Sequence, residues 1–477
     1  MFLVAPMLPA QRPPNIIYIM SDDLGWAELG SYGQTKIRTP NLDQLARDGV
    51  RFTQFYSASP VCAPSRSALL TGMHTGHAPV RGNFELGGYL DSEERGQYPL
   101  PVSTQTIATV LKSRGYATAI VGKWGLGGPN SEGVPNRHGF DFFYGYLDQK
   151  QAHNHYPSHL WRNEVWDSLQ PYFSPHQRLD SVPTDPRAYD RYKGTAYAPD
   201  VMTAEALKFI RDQREKPFFL YLAFTIPHLA LQVPDEELLA YSFPESPYLG
   251  TRGYLPHPRP RAAYAGMISR MDKHVGQVMA LLRELHLDST TLVVFTSDNG
   301  TTYTGGADPQ FFESVAGLRG LKDAVYEGGI RVPFIARWPG RIAAGTSTNT
   351  VAANWDVLPT LATLAGARVR RPIDGVSFAP TLLGRARTAM HAPLYWEHHG
   401  VCGGQQAVRD GDWKAIRLGV GTPSPAPLQL FNLASDPGER VDVASQHPAV
   451  AERMRGLMSS LRTTARIPAW NFVVDSV

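Results

Sequence analysis

Cys62 stands between prolines in Ser59-Pro-Val-Cys-Ala-Pro-Ser-Arg-Ser-Ala-Leu-Leu-Thr-Gly72, where a short apolar helical run begins. A helix opening near Pro64 aims free backbone N–H groups, a positive dipole end and the Arg66 guanidinium at position 62, an arrangement suited to a tetrahedral oxyanion. Two other stretches end in oxygen ligands. Asp22-Asp23 follows Asn15-Ile-Ile-Tyr-Ile-Met20, and Asp298-Asn299 follows Thr291-Leu-Val-Val-Phe-Thr296. Asp22, Asp23, Asp298 and Asn299 form an all-oxygen set without His or Cys, which favours a hard cation such as Ca2+ over Zn2+, with Mg2+ the main competitor. Lys123 in Gly122-Lys-Trp-Gly125 and Lys322 in Gly317-Leu-Arg-Gly-Leu-Lys322 supply cations for an anion's oxygens, and His228 ends Thr225-Ile-Pro-His228.

These residues need elements that deliver them to one place. The runs at 15–20, 50–56, 116–121, 216–224 and 291–296 are short, apolar and rich in β-branched or aromatic residues, which predicts buried strands. Asp22, Lys123, His228 and Asp298 each follow such a run, at the edge where open α/β sheets hold ligands. Helices are predicted from about Thr39 to Arg47, from Thr106 to a stop at Gly115, from Ala204 to Arg211 and from Asp356 to Leu364. Tyr264, Met267, Ile268, Met271, Val275, Val278, Leu282 and Leu285 recur at spacings of three and four, the stripe of one long helix packed on a sheet. From Tyr146 to about Tyr197 periodicity is lost, and the stretch reads as a long irregular excursion. After about Pro372 the pattern changes to a meander of short strands closed by a helix near 449–461. The expectation is an α/β domain over 14–371, a large mixed sheet flanked by helices, and a smaller domain over 372–477 with a short antiparallel sheet and a helix.

Composition narrows the function classes. The 477 residues exceed the usual single-domain size, and 46 Lys+Arg against 43 Asp+Glu give a net charge of +3, with no basic run that suggests nucleic acid. Any preference for anions is therefore local. The two cysteines, Cys62 and Cys402, allow at most one disulfide, which would consume the residue singled out above, so none is expected. Met1 to Ala10 is apolar, lacks a basic start, is broken by proline and is too short to span a membrane; it reads as the remnant of an export signal.

Cys-x-Pro-Ser-Arg followed by Leu-Thr-Gly closely resembles the signature of the type I sulfatases, in which the cysteine is oxidised to formylglycine and the aldehyde hydrate is the nucleophile. Further elements match in the family's order: Asp22-Asp23, Gly122-Lys-Trp124, Pro227-His228, Asp298-Asn-Gly300, and Lys322 before Glu327-Gly-Gly-Ile-Arg-Val-Pro333. The resemblance implies the alkaline-phosphatase-like α/β fold, calcium at Asp22, Asp23, Asp298 and Asn299 with an oxygen from position 62, and sulfate ester hydrolysis through a covalent sulfated intermediate. In that scheme Arg66, Lys123 and Lys322 neutralise the sulfuryl group and His228 protonates the departing alcohol. A formylglycine-generating maturation enzyme is implied as a partner, a sulfated carbohydrate as substrate with aryl sulfates as surrogates, and a periplasmic or secreted location.

One position departs from the pattern. Many members carry Lys-Trp-His where this chain has Lys123-Trp124-Gly125, and that histidine is held to bond or deprotonate the formylglycine hydroxyl. A histidine from elsewhere is expected to fill the gap, with His74, His153, His155 and His399 as candidates; otherwise Gly125 admits water or makes room for substrate. His153, His155, Trp161 and Arg162, together with His399, are the candidates for stacking on and hydrogen-bonding a sugar; the alternative is an ordinary surface insertion. Two competing readings stay open: a phosphonate monoester or phosphodiester hydrolase of the same superfamily, and a calcium-containing glycan-binding relative without catalysis.

Overall fold

The first strand, β1 (Asn15–Asp22), is buried along its whole length and alternates between two cores: Ile17 and Ile19 face one, Ile16, Tyr18 and Met20 the other. A strand buried on both faces needs helices on both. The structure, a computed structural model, describes residues 12–385 and 393–473; the expected export remnant at 1–10 lies outside them. The next strands are β2 (Val50–Tyr56), β3 (Ala117–Lys123), β4 (Phe142–Tyr146), β5 (His159–Arg162), β6 (Val165–Ser168), β7 (Phe218–Pro227) and β8 (Thr291–Ser297). They are followed by β9 (Arg331–Arg337), β10 (Thr346–Thr348) and β11 (Ala352–Ala353). A second sheet holds β12 (Leu394–His398), β13 (Gln405–Asp410), β14 (Trp413–Leu418) and β15 (Gln429–Asn432).

The main sheet runs β10-β2-β9-β8-β1-β7-β3-β4-β5-β6, with β11 also paired to β2. At its centre β8, β1, β7, β3 and β4 are parallel. Antiparallel β9 flanks them on one side, and β5 and β6 on the other. The sheet is mixed, as expected, and the C-terminal ends of β1, β3, β7 and β8 share one edge. Helices Pro40–Arg47, Ala198–Asp212 and Pro260–Glu284 cover the face of Ile17 and Ile19 through Leu42, Met202, Phe209, Met267 and Met271. Helices Cys62–Thr71, Ile107–Lys112 and Val357–Ala365 cover the other through Leu69, Leu70, Leu111, Leu358 and Leu361.

The second sheet is an antiparallel meander with helix Pro448–Ser460 on one face, where Ala451, Met454 and Met458 meet Val408, Ala415 and Leu430. Its other face, with Trp396, Ala407, Ile416 and Phe431, packs on Tyr56, Ala68 and Trp355 of the large unit. Lys414 is fully buried between Glu327 and Glu439, 2.9 Å from each.

The stretch 146–197 is not wholly irregular. β5 and β6 form a hairpin turning at Asn163-Glu164, with Asn163 in the left-handed region (φ 56°), and extend the main sheet by two strands. Each strand has only four residues with polar ones interspersed, so neither shows a clean alternation. The helix predicted from Ala204 begins earlier, at Ala198 with Pro199 in its first turn. Both cysteines are free; Cys62 is buried and Cys402 exposed. Among the described residues no helix is long and apolar enough to cross a membrane.

Candidate active site

Four parallel strands bring the predicted residues together. Asp22 is the last residue of β1, with Asp23 next to it in the left-handed region (φ 65°); Lys123 ends β3, His228 follows β7, and Asp298-Asn299 follows β8. The helix that starts at Cys62, two residues ahead of the predicted opening, places that residue in its first turn. Cys62 Sγ lies 3.4 Å from Asp22 Oδ1 and 3.9 Å from Lys322 Nζ. Each cation is held by a carboxylate: Lys123 Nζ by Asp22 Oδ2 at 2.7 Å, Lys322 Nζ by Asp23 Oδ2 at 2.8 Å, and Arg66 Nη2 by Asp298 Oδ2 at 2.8 Å. Arg66 Nη1 donates to the Lys123 carbonyl at 2.7 Å, so its plane is fixed.

The oxygen donors face one another in the interior. Asp22, Asp23, Asp298 and Asn299 are completely buried, and Asn299 Nδ2 donates to Asp23 Oδ1 at 2.7 Å while Asn299 Oδ1 has no partner. Three buried carboxylates and an orphaned amide oxygen are what a hard cation requires, and Asn299 Oδ1 then gains its missing partner. Burial alone raises these carboxyls; around Asp22 it is outweighed by Lys123, His228, Arg66 and Lys322, which hold that group well below the usual carboxylate range. Asp23, buried and repelled by Asp22 and Asp298 against the pull of Lys322, is pushed up to about 7. Burial and Asp22 also push the Cys62 thiol up, which disfavours a thiolate.

His228 donates from Nδ1 to the Leu229 carbonyl at 2.7 Å and turns Nε2 toward the cluster, 3.7 Å from Asp23 Oδ2. Burial, with Lys322 close by, lowers its imidazole well below the ordinary value. Its ring stacks on His153, with centroids 5.0 Å apart, and meets Tyr254 edge-on. His153 Nδ1 lies 3.2 Å from His176 Nε2, and His176 packs on Tyr89 and Tyr254. His153 is thus brought to the site, with Tyr89, His176 and Tyr254, which sequence reasoning missed because each sits in a loop without periodicity.

The structure does not bring the remaining candidates there. Arg162 lies at the start-of-strand end beside Phe142, paired with Glu205 at 2.7 Å and stacked over Tyr144. Trp161 Nε1 donates to Glu94 at 3.0 Å and braces the β5–β6 hairpin. His155 spends both ring nitrogens on scaffold, Nε2 with the His228 carbonyl and Nδ1 with Thr225 Oγ1. His399 bonds Glu397 and stacks on Phe472, and His74 sits by Asp374, Trp355 and Tyr395. His398, next to His399, has Nε2 3.6 Å from Asp323 Oδ1 and no hydrogen bond at either nitrogen.

A parallel-centred mixed sheet carries a buried cluster of cations and carboxylates at its C-terminal edge, where open α/β enzymes hold their ligands. The sulfatase family model matches residues 14–367, and the model of the N-sulphoglucosamine sulphohydrolase C-terminal region matches 321–465. The chain belongs to the sulfatase family and is a sulfuric ester hydrolase. It is 36% identical to arylsulfatase A of Bos taurus over 94% of this chain and 87% of that one, and 31% identical to N-acetylgalactosamine-6-sulfatase of Homo sapiens over 96% and 87%. The crystal structure of Ps i-CgsB in complex with k-i-k-neocarrahexaose superposes with a TM-score of 0.78 at 29% identity, covering 98% of this chain and 96% of that one. The expected alkaline-phosphatase-like sandwich agrees with these likenesses.

Proposed function

We propose that the protein removes sulfate from a sulfated carbohydrate, using formylglycine made from Cys62 and Ca2+ held by Asp22, Asp23, Asp298 and Asn299. The observation that carries this reading is the convergence of Arg66, Lys123, Lys322 and His228 on the buried cluster beside Cys62. When bound, the cation polarises a sulfate oxygen, and the aldehyde hydrate supplies an oxygen nucleophile that a thiol lacks. Arg66 and Lys123, locked on Asp298 and Asp22, keep their charge in place without reorganising during the reaction. Lys322, whose side chain is 13% exposed, is the cation open to an arriving sulfate oxygen. With the Nδ1 proton of His228 committed to the Leu229 carbonyl, Nε2 is the ring nitrogen left for the leaving oxygen, and it donates there only in the doubly protonated ring, the form that the negative charge of a bound sulfate ester favours.

A carbohydrate is favoured by the ring cluster of Tyr89, His153, His176 and Tyr254 beside His228, and by the sugar names borne by the human relative and the neocarrahexaose complex. The same reading takes residues 14–371 as the catalytic unit and 372–477 as its companion, has Cys62 oxidised by a formylglycine-generating maturation enzyme, and sets the protein in a periplasmic or secreted location. The test is sulfate release from a panel of defined sulfated saccharides, with Cys62→Ala as blank and a phosphate ester of one panel alcohol in parallel. Release from at least one saccharide is expected; turnover confined to the phosphate ester refutes the reading.

A further inference from the structure

The three atoms nearest to a Cβ placed on Gly125 all belong to Gln149, and none to the four candidate histidines. Gly125 is in the left-handed region (φ +75°), and a Cβ placed on it would lie 2.8 Å from Gln149 Cγ and 3.0 Å from Cδ. A side chain at 125 would force the glutamine to move, so the bare glycine and the glutamine side chain are complementary as they stand, and the glutamine occupies the room that a side chain at 125 would need.

The amide's orientation is fixed by its neighbours. Asn83 Oδ1 accepts the Ala63 backbone N–H at 3.0 Å, which identifies that atom as the oxygen, and Gln149 must present its NH2 to it, at 2.9 Å. Gln149 is thereby tied to the first turn of the helix that carries Cys62. Its Oε1 has no hydrogen-bond partner, although Gln149 is only 4% exposed. A buried acceptor left open in this way is waiting for a donor.

We propose that Gln149 Oε1 accepts the hydrogen bond of the hydroxyl that residue 62 carries once matured, and so orients it in place of the histidine missing at 125. This deepens the formylglycine reading and rests on it. A neutral amide does not take up a proton at ordinary pH, so its work is orientation alone. When sulfate leaves, the C–O bond to sulfur's oxygen breaks, the aldehyde C=O re-forms, and the hydroxyl proton passes to solvent water.

The test is Gln149→Met, which keeps the volume against Gly125 but removes the acceptor. Because the step affected follows sulfate transfer, kcat and KM fall together by about tenfold, one hydrogen bond of ordinary strength, while kcat/KM holds. Mass spectrometry of the quenched enzyme shows residue 62 carrying sulfate as its main form, unlike the parent. Asn83→Ala, which frees the same amide to swing, gives a smaller accumulation and serves if Gln149→Met does not fold. In a Cys62→Ala background, calorimetry shows substrate affinity unchanged within about twofold by the added Gln149→Met. Sulfated residue 62 no more abundant than in the parent, or affinity lost in the Cys62→Ala background, overturns the proposal. An unmodified thiol at 62 in an active parent overturns the formylglycine reading instead, so the two failures are distinct.

Discussion

His228→Asn is the perturbation that tests the proton donor directly. His228 is 4% exposed, so water has little access to replace it, and its Nδ1 is already committed to the Leu229 carbonyl at 2.7 Å. The variant loses Nε2, the one ring nitrogen turned to the cluster. For an unactivated sugar sulfate, whose leaving alkoxide needs a proton, kcat/KM is expected to fall by ~10²–10⁴-fold. That loss equals about 2.7–5.4 kcal/mol of barrier at 1.36 per decade. For a nitrophenyl sulfate, which departs as a stable anion, the loss is expected to stay within about tenfold. The substitution also removes a ring stacked on His153 at 5.0 Å, so a stability loss of about 0.5–3 kcal/mol accompanies it and is measured separately by thermal denaturation. The assay is steady-state kinetics on both esters at one pH. An equal fall on both would mean that the ring positions substrate or metal and that the leaving group is protonated from elsewhere.

Three further expectations concern the frame. Arg162→Ala breaks a partly exposed pair with Glu205 and is expected to change kcat/KM by no more than about twofold and stability by no more than about 1 kcal/mol; a large KM increase would return Arg162 to the sugar site. Lys414→Met leaves Glu327 and Glu439 facing each other in a dry interior, and urea unfolding is expected to show a loss of about 3–5 kcal/mol, with a loss near zero counting against the buried-pair account. Glu397, buried but held to about 2 by His399 and Arg462, has its folded pKa depressed, so its contribution is present above the unfolded carboxyl value and is lost as pH falls through about 2. A shift of that size corresponds to about 3 kcal/mol, so Glu397→Gln should be less stable at neutral pH and flatten the acid limb of a stability–pH curve; parallel acid limbs would refute it.

The centre of the sheet was legible because buried parallel strands are written as continuous apolar runs, and 15–20, 216–224 and 291–296 are such runs. The polar residue that ends each one was legible for the same reason: a charge next to a core strand must sit at its rim. Legibility failed where position depends on loops crossing in space. Tyr89, His176 and Tyr254 come from irregular segments and meet only through the fold. His153, His155, Trp161 and Arg162 look like one group because they are neighbours in sequence. The β5–β6 hairpin separates them: its strands carry Arg162 to the Glu205 side, while His153 stays in the loop after β4, against His228.

The Glu327-Gly-Gly-Ile-Arg-Val-Pro segment shows how a motif can be correct as a marker and silent about its physical task. An element of the family pattern, it places no side chain among the site's cations. Glu327 is instead clamped by Lys414 at 2.9 Å and by the Tyr56 hydroxyl at 2.7 Å, which fixes the second sheet to the large unit. The glycines act through what they lack. A Cβ on Gly329 would lie 2.0 Å from the Ala324 carbonyl oxygen, and one on Gly300 would lie 2.2 Å from that of Gly328. Gly300 N donates to the Gly329 carbonyl at 3.0 Å, and Lys322 N to the Thr301 carbonyl at 2.9 Å. The loop that bears Lys322 is thus pressed against the loop that bears Asp298 and Asn299, closely enough for backbone hydrogen bonds to join them. Lys322 reaches Asp23 because two backbones can touch there, and they can touch because no side chain stands between them.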